Sequence, residues 1–318
     1  MLLKAFPDEI LFSRLCRSLS VSGLSVDKYT ISLQLEARSS FHPFLTQHLT
    51  EIARVNNENP MFLWYEQTLF PLWVWAMPDY AKELCQLNGP NSCLKSFYQL
   101  TGNHSSQRMR LNFCPLCARD DAMNYGVPYW HCQHQIPGVS ACYRHRCQLL
   151  HRLVPPSPYI SIELYPDLFN EGGLCNTIEV DFARYASIVL TKLARRKISN
   201  NNILLKKHQT TKVNHATRSK LDDSLYDIIE CLFDDENRPN VLEKTRFINY
   251  IIKKNKNILP SRKLFLGFYF ERLCQGPNKA SLSIKSQSQG QNQDEPFYED
   301  TKKFNSEIRS LLKKTWFA

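Results

Sequence analysis

Apolar positions recur at helical spacing in the first part of the chain. Five of them lie on one face ahead of Gly23, which is expected to end the helix: Ile10, Leu11, Leu15, Cys16 and Leu19. A second helix is predicted to start near Ser39. Its apolar stripe consists of Phe44, Leu45, His48, Leu49 and Ile52. Asn59 and Pro60 then open a third, aromatic-rich segment, so the pattern predicts short helices that bury aromatic side chains.

The helical pattern returns in the second half of the chain. Residues 180–196 are strongly periodic, with five side chains placed for burial: Phe182, Tyr185, Ile188, Val189 and Leu193. Further helices are predicted over residues 221–233, 241–254 and 262–274, a set compatible with a helix-turn-helix domain. The amide-rich residues 275–296 contain few apolar side chains and are expected to form a disordered tether ahead of a last short helix.

The segment from residue 113 to 154 differs from its flanks, because it is rich in Cys, His and turn-forming residues. The fold class is therefore predicted to be mainly α, with short helical bundles around a small zinc-finger module. We expect an N-terminal helical, helix-turn-helix-like domain over residues 1–110 and the zinc module over 111–155. A C-terminal helical domain that could bind DNA follows over 156–275, and the tether with its terminal helix over 276–318.

Charge and hydropathy narrow the class of partner. The 318 residues carry 40 Lys and Arg against 30 Asp and Glu, a net charge of +10, which favours a polyanionic partner such as nucleic acid. No apolar run reaches the roughly 18 to 20 residues of a membrane span, and the N-terminus has no apolar core typical of a signal peptide. We expect a cytoplasmic protein that does not bind membranes.

Cysteine and histidine spacing points to a metal. Cys114 and Cys117 form a C-x2-C pair, and Cys142 and His145 form a C-x2-H pair after 24 intervening residues. Each two-residue spacer lets both side chains reach one ion, and four protein donors leave no open position for water, so the pattern predicts a structural Zn²⁺. Four neighbours could replace a proposed ligand: His131, Cys132, His134 and Cys147. The alternative to a zinc site is a cluster of reduced, unliganded thiols.

Several motifs together resemble one family. The C-x2-C pair and the C-x2-H pair, here called knuckles, are accompanied by three short motifs. They are residues 125–131 (Tyr-Gly-x-Pro-Tyr-Trp-His), residues 135–139 (Gln-x-Pro-Gly-Val) and an N-terminal Pro7-Asp8-Glu9-x-Leu11-x-Ser13. In this order they resemble the TnsD/TniQ family, the target-selecting proteins of TnsABC-type transposons. Residues 65–72 (Tyr-Glu-x-Thr-Leu-Phe-Pro-Leu) are similar to its TnsD branch.

The resemblance implies a cytoplasmic, bacterial adaptor with an N-terminal helix-turn-helix, a structural zinc at the four knuckle residues and a surface that contacts the AAA+ ATPase TnsC. The expected function is selection of a target site by binding double-stranded DNA at an attachment site and recruiting TnsC. The alternative is an adaptor that docks on a CRISPR Cascade complex for RNA-guided transposition and reads little DNA itself.

Basic clusters supply the candidate DNA contacts, since arginine and lysine neutralise phosphates. They are Arg144, Arg146, Arg152, Lys206, Lys207, Lys253, Lys254, Arg262 and Lys263. An enzyme is not expected: Asp120 and Asp121 follow the first knuckle without an HxE or HExxH arrangement, and the sequence has no P-loop or GxSxG motif. The chemistry of transposition is therefore expected to belong to another protein.

Overall fold

The computed structural model describes residues 2–37, 39, 41–44, 48–80, 110–155, 160–198 and 260–275. Within them lie eight α-helices, two 3₁₀ turns and one two-stranded sheet, so the predicted mainly helical class is confirmed. The chain divides into two compact units, Met1–Leu205 with Lys256–Lys263 and Lys206–Asn255 with Leu264–Ala318. Most of the described residues belong to the first unit. The division into the four predicted domains stays a prediction.

Five short helices form the N-terminal region of the first unit. They are α1 (Leu11–Ser22), α2 (Val26–Ser32), α3 (Leu49–Val55), α4 (Pro60–Glu66) and α5 (Phe70–Ala76). The predicted end of α1 at Gly23 is confirmed, because that residue adopts the left-handed conformation with φ of 66°. The predicted start at Asn59 is confirmed as well: its side chain accepts a hydrogen bond from the Met61 N–H and Pro60 follows at the first helical position.

Helix α1 contributes many of the buried apolar side chains in the core of this region. Its apolar stripe is fully buried, with Leu11, Leu15 and Leu19 at 0% exposure. The same helix also buries two arginines, each with an acidic partner: Arg17 pairs with Glu9 at 2.7 Å and Arg14 with Glu58 at 2.5 Å. Pairing compensates the desolvation of these charges, so α1 fixes the neighbouring segments through ion pairs as well as apolar contacts.

The predicted helix start at Ser39 is wrong. The helix begins ten residues later, at Leu49, after His48 in the left-handed conformation with φ of 64°. Pro43 accounts for part of the difference, because a proline disfavours helical geometry at the residue before it. Leu49 and Ile52 are nevertheless buried, as the stripe predicted.

The Cys- and His-rich segment forms a small module built on a short sheet. Strand β1 (Arg110–Phe113) pairs antiparallel with β2 (Leu150–Leu153), and Phe113 lies opposite Leu150. Helix α6 (Pro115–Tyr125) follows β1 directly and ends at Gly126 with φ of 79°. A 3₁₀ turn, Cys132–Gln135, lies between α6 and β2.

Backbone hydrogen bonds join the module to the N-terminal helices. The Ile10 N–H donates to the Trp130 carbonyl at 3.0 Å, and the Cys132 N–H donates to the Asp8 carbonyl at 2.7 Å. Ser13 on α1 accepts a hydrogen bond from the Trp130 N–H through its hydroxyl. The segment around residue 130 therefore pairs with the chain entering α1, which fixes the position of the module against the helices.

Two longer helices complete the described structure. The helix predicted over residues 180–196 is confirmed as α7 (Thr177–Ile198). It packs against α4, α5 and the 132–135 turn, but Ile188, predicted to be buried, is 41% exposed. The helix predicted over 262–274 is confirmed as part of α8 (Pro260–Gln275).

The other predicted helices and the tether, at 221–233, 241–254 and beyond residue 275, lie outside the described residues. Among the helices that the structure describes, none is long and apolar enough to cross a bilayer.

Candidate metal centre

The first pair of donors lies at the start of α6. Cys114 is the N-cap of the helix, and its sulfur accepts a hydrogen bond from the Cys117 N–H at 3.4 Å. Pro115 fixes the first helical residue, so the next turn brings the Cys117 side chain back beside Cys114. Because the helix starts at the first cysteine of the C-x2-C pair, the two cysteine side chains lie next to each other.

The second pair lies in a tight turn between α6 and β2. The Cys142 N–H donates to the Cys147 carbonyl, and the Arg146 N–H donates to the Cys142 carbonyl, both at 2.8 Å. Arg146 has a φ of 55°, a left-handed conformation that costs a non-glycine residue on the order of 1 kcal/mol or more. These contacts close the turn and direct Cys142 and His145 toward α6.

The four predicted ligands converge. Their donor atoms, three sulfurs and one imidazole nitrogen, all lie within 4.8 Å of one another. The Cys117 and Cys142 sulfurs are 3.7 Å apart, and the His145 Nδ1 lies 3.4, 3.3 and 3.8 Å from the sulfurs of Cys114, Cys117 and Cys142. A tetrahedral zinc with bonds of about 2.3 Å to sulfur and about 2.0 Å to nitrogen would require separations of about 3.6 to 3.8 Å. The cluster could therefore hold one metal ion.

Burial and hydrogen bonding act in opposite directions on the thiols of the cluster. Each of the three cysteines is at most 3% exposed. Hydrogen bonds from the thiols of Cys117, Cys142 and Cys147 hold the pKa of the Cys114 thiol well below its ordinary value, whereas the hydrogen bond to Cys114 and burial raise the pKa of the Cys117 thiol. The cluster by itself therefore stabilises one thiolate, and further thiolates would need a cation at its centre.

Two further side chains support the donors from outside. The His145 Nε2 donates to Asp120 Oδ2 at 3.1 Å, so its Nδ1 is the nitrogen that faces the sulfurs. A carboxylate on the outer nitrogen of a ligating histidine is the usual second partner at a zinc site. His134 is buried, with its Nε2 3.9 Å from the Cys117 sulfur, and burial lowers its pKa well below 6.5, so its ring is neutral.

Two of the four substitute ligands face other partners. The Cys132 sulfur lies 3.9 Å from the Glu66 carbonyl. His131 donates from Nε2 to Asp121 at 2.8 Å and lies 3.5 Å from Asp8. Burial lowers the pKa of His131, but the hydrogen bond to Asp121 and the nearby charge of Asp8 outweigh it and raise the pKa to about 9. His131 is therefore a buried cation that links the N-terminal segment to α6.

Cys147, like His134, is a substitute that lies beside the cluster. Its sulfur is 3.4 Å from that of Cys114.

The predicted DNA-contact residues fall into different surroundings. Arg144 and Arg146 are exposed in the turn that carries His145, whereas the exposed Arg152 donates to the Tyr165 carbonyl at 2.8 Å. Arg262 is exposed on α8. Lys263 donates to the Trp75 carbonyl, its ammonium lies 4.5 Å from the centre of the Trp75 ring, and burial lowers its pKa to about 8. The remaining four, Lys206, Lys207, Lys253 and Lys254, lie outside the described residues.

Sequence reasoning missed the roles of Asp120, Asp121 and Asp8. The sequence places the two aspartates after the first knuckle outside any catalytic motif, whereas the structure pairs each of them with a histidine of the module. Asp120 and Asp121 follow Cys117 by three and four residues. Residues at this spacing lie on the same face of a helix, so their positions alone indicate that they lie near the metal ligands.

The first part of the chain matches a protein-family model. Residues 1–149 match the family model of TniQ, and this range contains the four clustered donors. The predicted resemblance to the TnsD/TniQ family is thereby confirmed over these residues. No curated protein matches the chain.

Proposed function

We propose, from the TniQ domain over residues 1–149, that this chain is a target-selection adaptor of DNA transposition. A TniQ domain indicates a protein associated with transposition. In the finer proposal, the chain binds double-stranded target DNA, recruits the AAA+ regulator TnsC and leaves the transposition chemistry to other proteins. The family match is the single observation that carries this proposal.

The proposed zinc has a structural role. Cys114, Cys117, Cys142 and His145 would hold it, and four protein donors fill a tetrahedral ion so that no position is open for a reacting water. When bound, the ion would cross-link α6 to the turn before β2. Arg144 lies between the ligands Cys142 and His145, and Arg146 follows His145 directly. The bound ion would therefore also fix the position of both arginines.

Direct DNA contact is supported by the charge of this turn. Arg144 and Arg146 flank His145 and are exposed, and a salt-dependent interaction with phosphates needs accessible guanidinium groups. Arg262 supplies a further exposed cation on α8. Four of the five proposed contacts that the structure describes have exposed side chains: Arg144, Arg146, Arg152 and Arg262.

A binding experiment tests the DNA proposal. The purified chain is titrated against duplex DNA at about 50 mM and about 200 mM salt, and a direct binder should lose affinity steeply between the two. Arg144→Gln with Arg146→Asn should reduce the salt slope by about 2. The asparagine is chosen because it tolerates a positive φ. The matched control, Arg184→Gln with Lys192→Gln on the exposed side of α7, should leave the slope near that of the wild type.

The same experiment separates the two routes to a target. Absence of binding at both salt concentrations would contradict direct reading of an attachment site and favour docking on a Cascade complex. Pull-down of the chain with purified TnsC, and separately with Cascade subunits, then identifies the partner. Failure to retain TnsC would contradict the adaptor role.

A further inference from the structure

A fifth donor lies beside the four that form the cluster. Cys147 is buried, at 5% exposure, and follows His145 by two residues. Its sulfur is 3.4 Å from the Cys114 sulfur, close to the separation of about 3.8 Å that two thiolates on one zinc require. The four sulfurs of Cys114, Cys117, Cys142 and Cys147 form one buried cluster.

The two candidates for the fourth position differ in exposure. His145 has a quarter of its side chain exposed, and its outer nitrogen is held by Asp120, which is 51% exposed. Cys147 lies inside, and its backbone carbonyl accepts the hydrogen bond from the Cys142 N–H that closes the turn. The imidazole therefore lies at the solvent edge of the cluster, and the thiol lies inside it.

We propose that Cys147 is an alternative fourth ligand that replaces His145 and converts a Cys₃His centre into a Cys₄ centre. With an ion bound, Cys147 would give its thiol proton to water and supply a thiolate as the fourth ligand, and His145 would leave as a neutral imidazole that keeps the electron pair of its Nδ1. The centre becomes one charge more negative beside Arg144 and Arg146, and the ion is retained when His145 is withdrawn.

This inference rests on the proposed zinc site, and Co²⁺ titration of the full chain tests both. Thiolate-to-cobalt charge-transfer absorption grows with the number of bound thiolates, so it counts them. The wild type should bind one Co²⁺ with three thiolates. His145→Ala should still bind one, with the charge-transfer intensity raised by about one third as a fourth thiolate enters. Cys147→Ser should match the wild type.

The double variant and a control complete the design. His145→Ala with Cys147→Ser should bind Co²⁺ more than about tenfold more weakly than His145→Ala, because it has lost both fourth ligands. His151→Ala, an exposed histidine on β2, should behave as the wild type. A His145→Ala protein that holds no Co²⁺, or holds it with three thiolates, overturns the exchange. A wild type that binds no Co²⁺ overturns the metal site itself.

Discussion

The N-terminal helices and the Cys- and His-rich module are held together by different forces. Helices α1 to α5 bury large apolar side chains, among them Leu11, Leu15 and Trp64. The module has a two-stranded sheet of four residues per strand, and around its cysteines it buries polar side chains such as Gln133 and His134. The module also buries apolar side chains such as Phe113 and Trp130, but a small segment with one short sheet gains from a further source of stability, and four converging donors supply the place for one.

The two regions also depend on each other. The chain entering α1 pairs with the segment around Trp130, and His131 joins Asp8 to Asp121 on α6. The aromatic motif at residues 125–131 is therefore a joint between the N-terminal helices and the metal-dependent module. Changes in the module, the helices and the joint should therefore have separable effects.

The largest expected effect comes from removing a donor. Cys114→Ser should abolish stoichiometric zinc and unfold the module, since structural zinc contributes about 10 to 16 kcal/mol in small zinc-finger peptides. Hydrogen exchange should show protection lost over residues 110–153 and retained longer in α1. Cys132→Ser, a buried cysteine outside the four donors, should keep one zinc. Equal protection in wild type and Cys114→Ser would show that the module does not depend on a metal ion for its stability.

A large effect of another kind is expected in the helices. Leu15→Ala removes a fully buried side chain and should lower the free energy of unfolding by about 2 to 5 kcal/mol, measured by urea denaturation. Zinc content should stay at one per chain. Val21→Ala on the same helix, where the side chain is 72% exposed, should change the stability by less than about 0.5 kcal/mol. Loss of zinc in folded Leu15→Ala would mean that the two regions are not separately stabilised.

The joint should respond to pH. Because folding raises the pKa of His131 from 6.5 to about 9, its contribution is complete below pH 6.5 and is lost as the pH rises through 9. This shift corresponds to about 3 kcal/mol. His131→Gln should therefore destabilise the chain more at pH 7 than at pH 10, as measured by urea denaturation of both proteins. A stability difference that is independent of pH would show that His131 is not a buried cation.

The smallest expected effect concerns the support of His145. Asp120→Asn weakens the carboxylate on the outer nitrogen and should reduce zinc affinity by about 10- to 100-fold, measured by competition with a chromophoric chelator. Asp181→Asn, a control carboxylate exposed on α7, should leave zinc affinity unchanged. Unchanged zinc affinity in Asp120→Asn would show that this carboxylate does not support His145 as a metal ligand.

The sequence predicted the donors better than it predicted their surroundings. Two-residue spacers restrict Cys114 with Cys117, and Cys142 with His145, to short local geometries, so local chemistry was enough to identify them. The partners of His131 come from Asp8, more than a hundred residues earlier, and from Asp121, and such pairings depend on how the chain returns to itself. The shifted start of α3 has a local cause instead, since Pro43 disfavours helical geometry at the residue before it.

Metal content measured on the purified, folded wild-type chain shows whether a bound ion accompanies the folded module. Elemental analysis by mass spectrometry, paired with circular dichroism on the same sample, should find one zinc per chain together with helical structure. A folded chain without stoichiometric metal would contradict the claim that four converging donors stabilise the module.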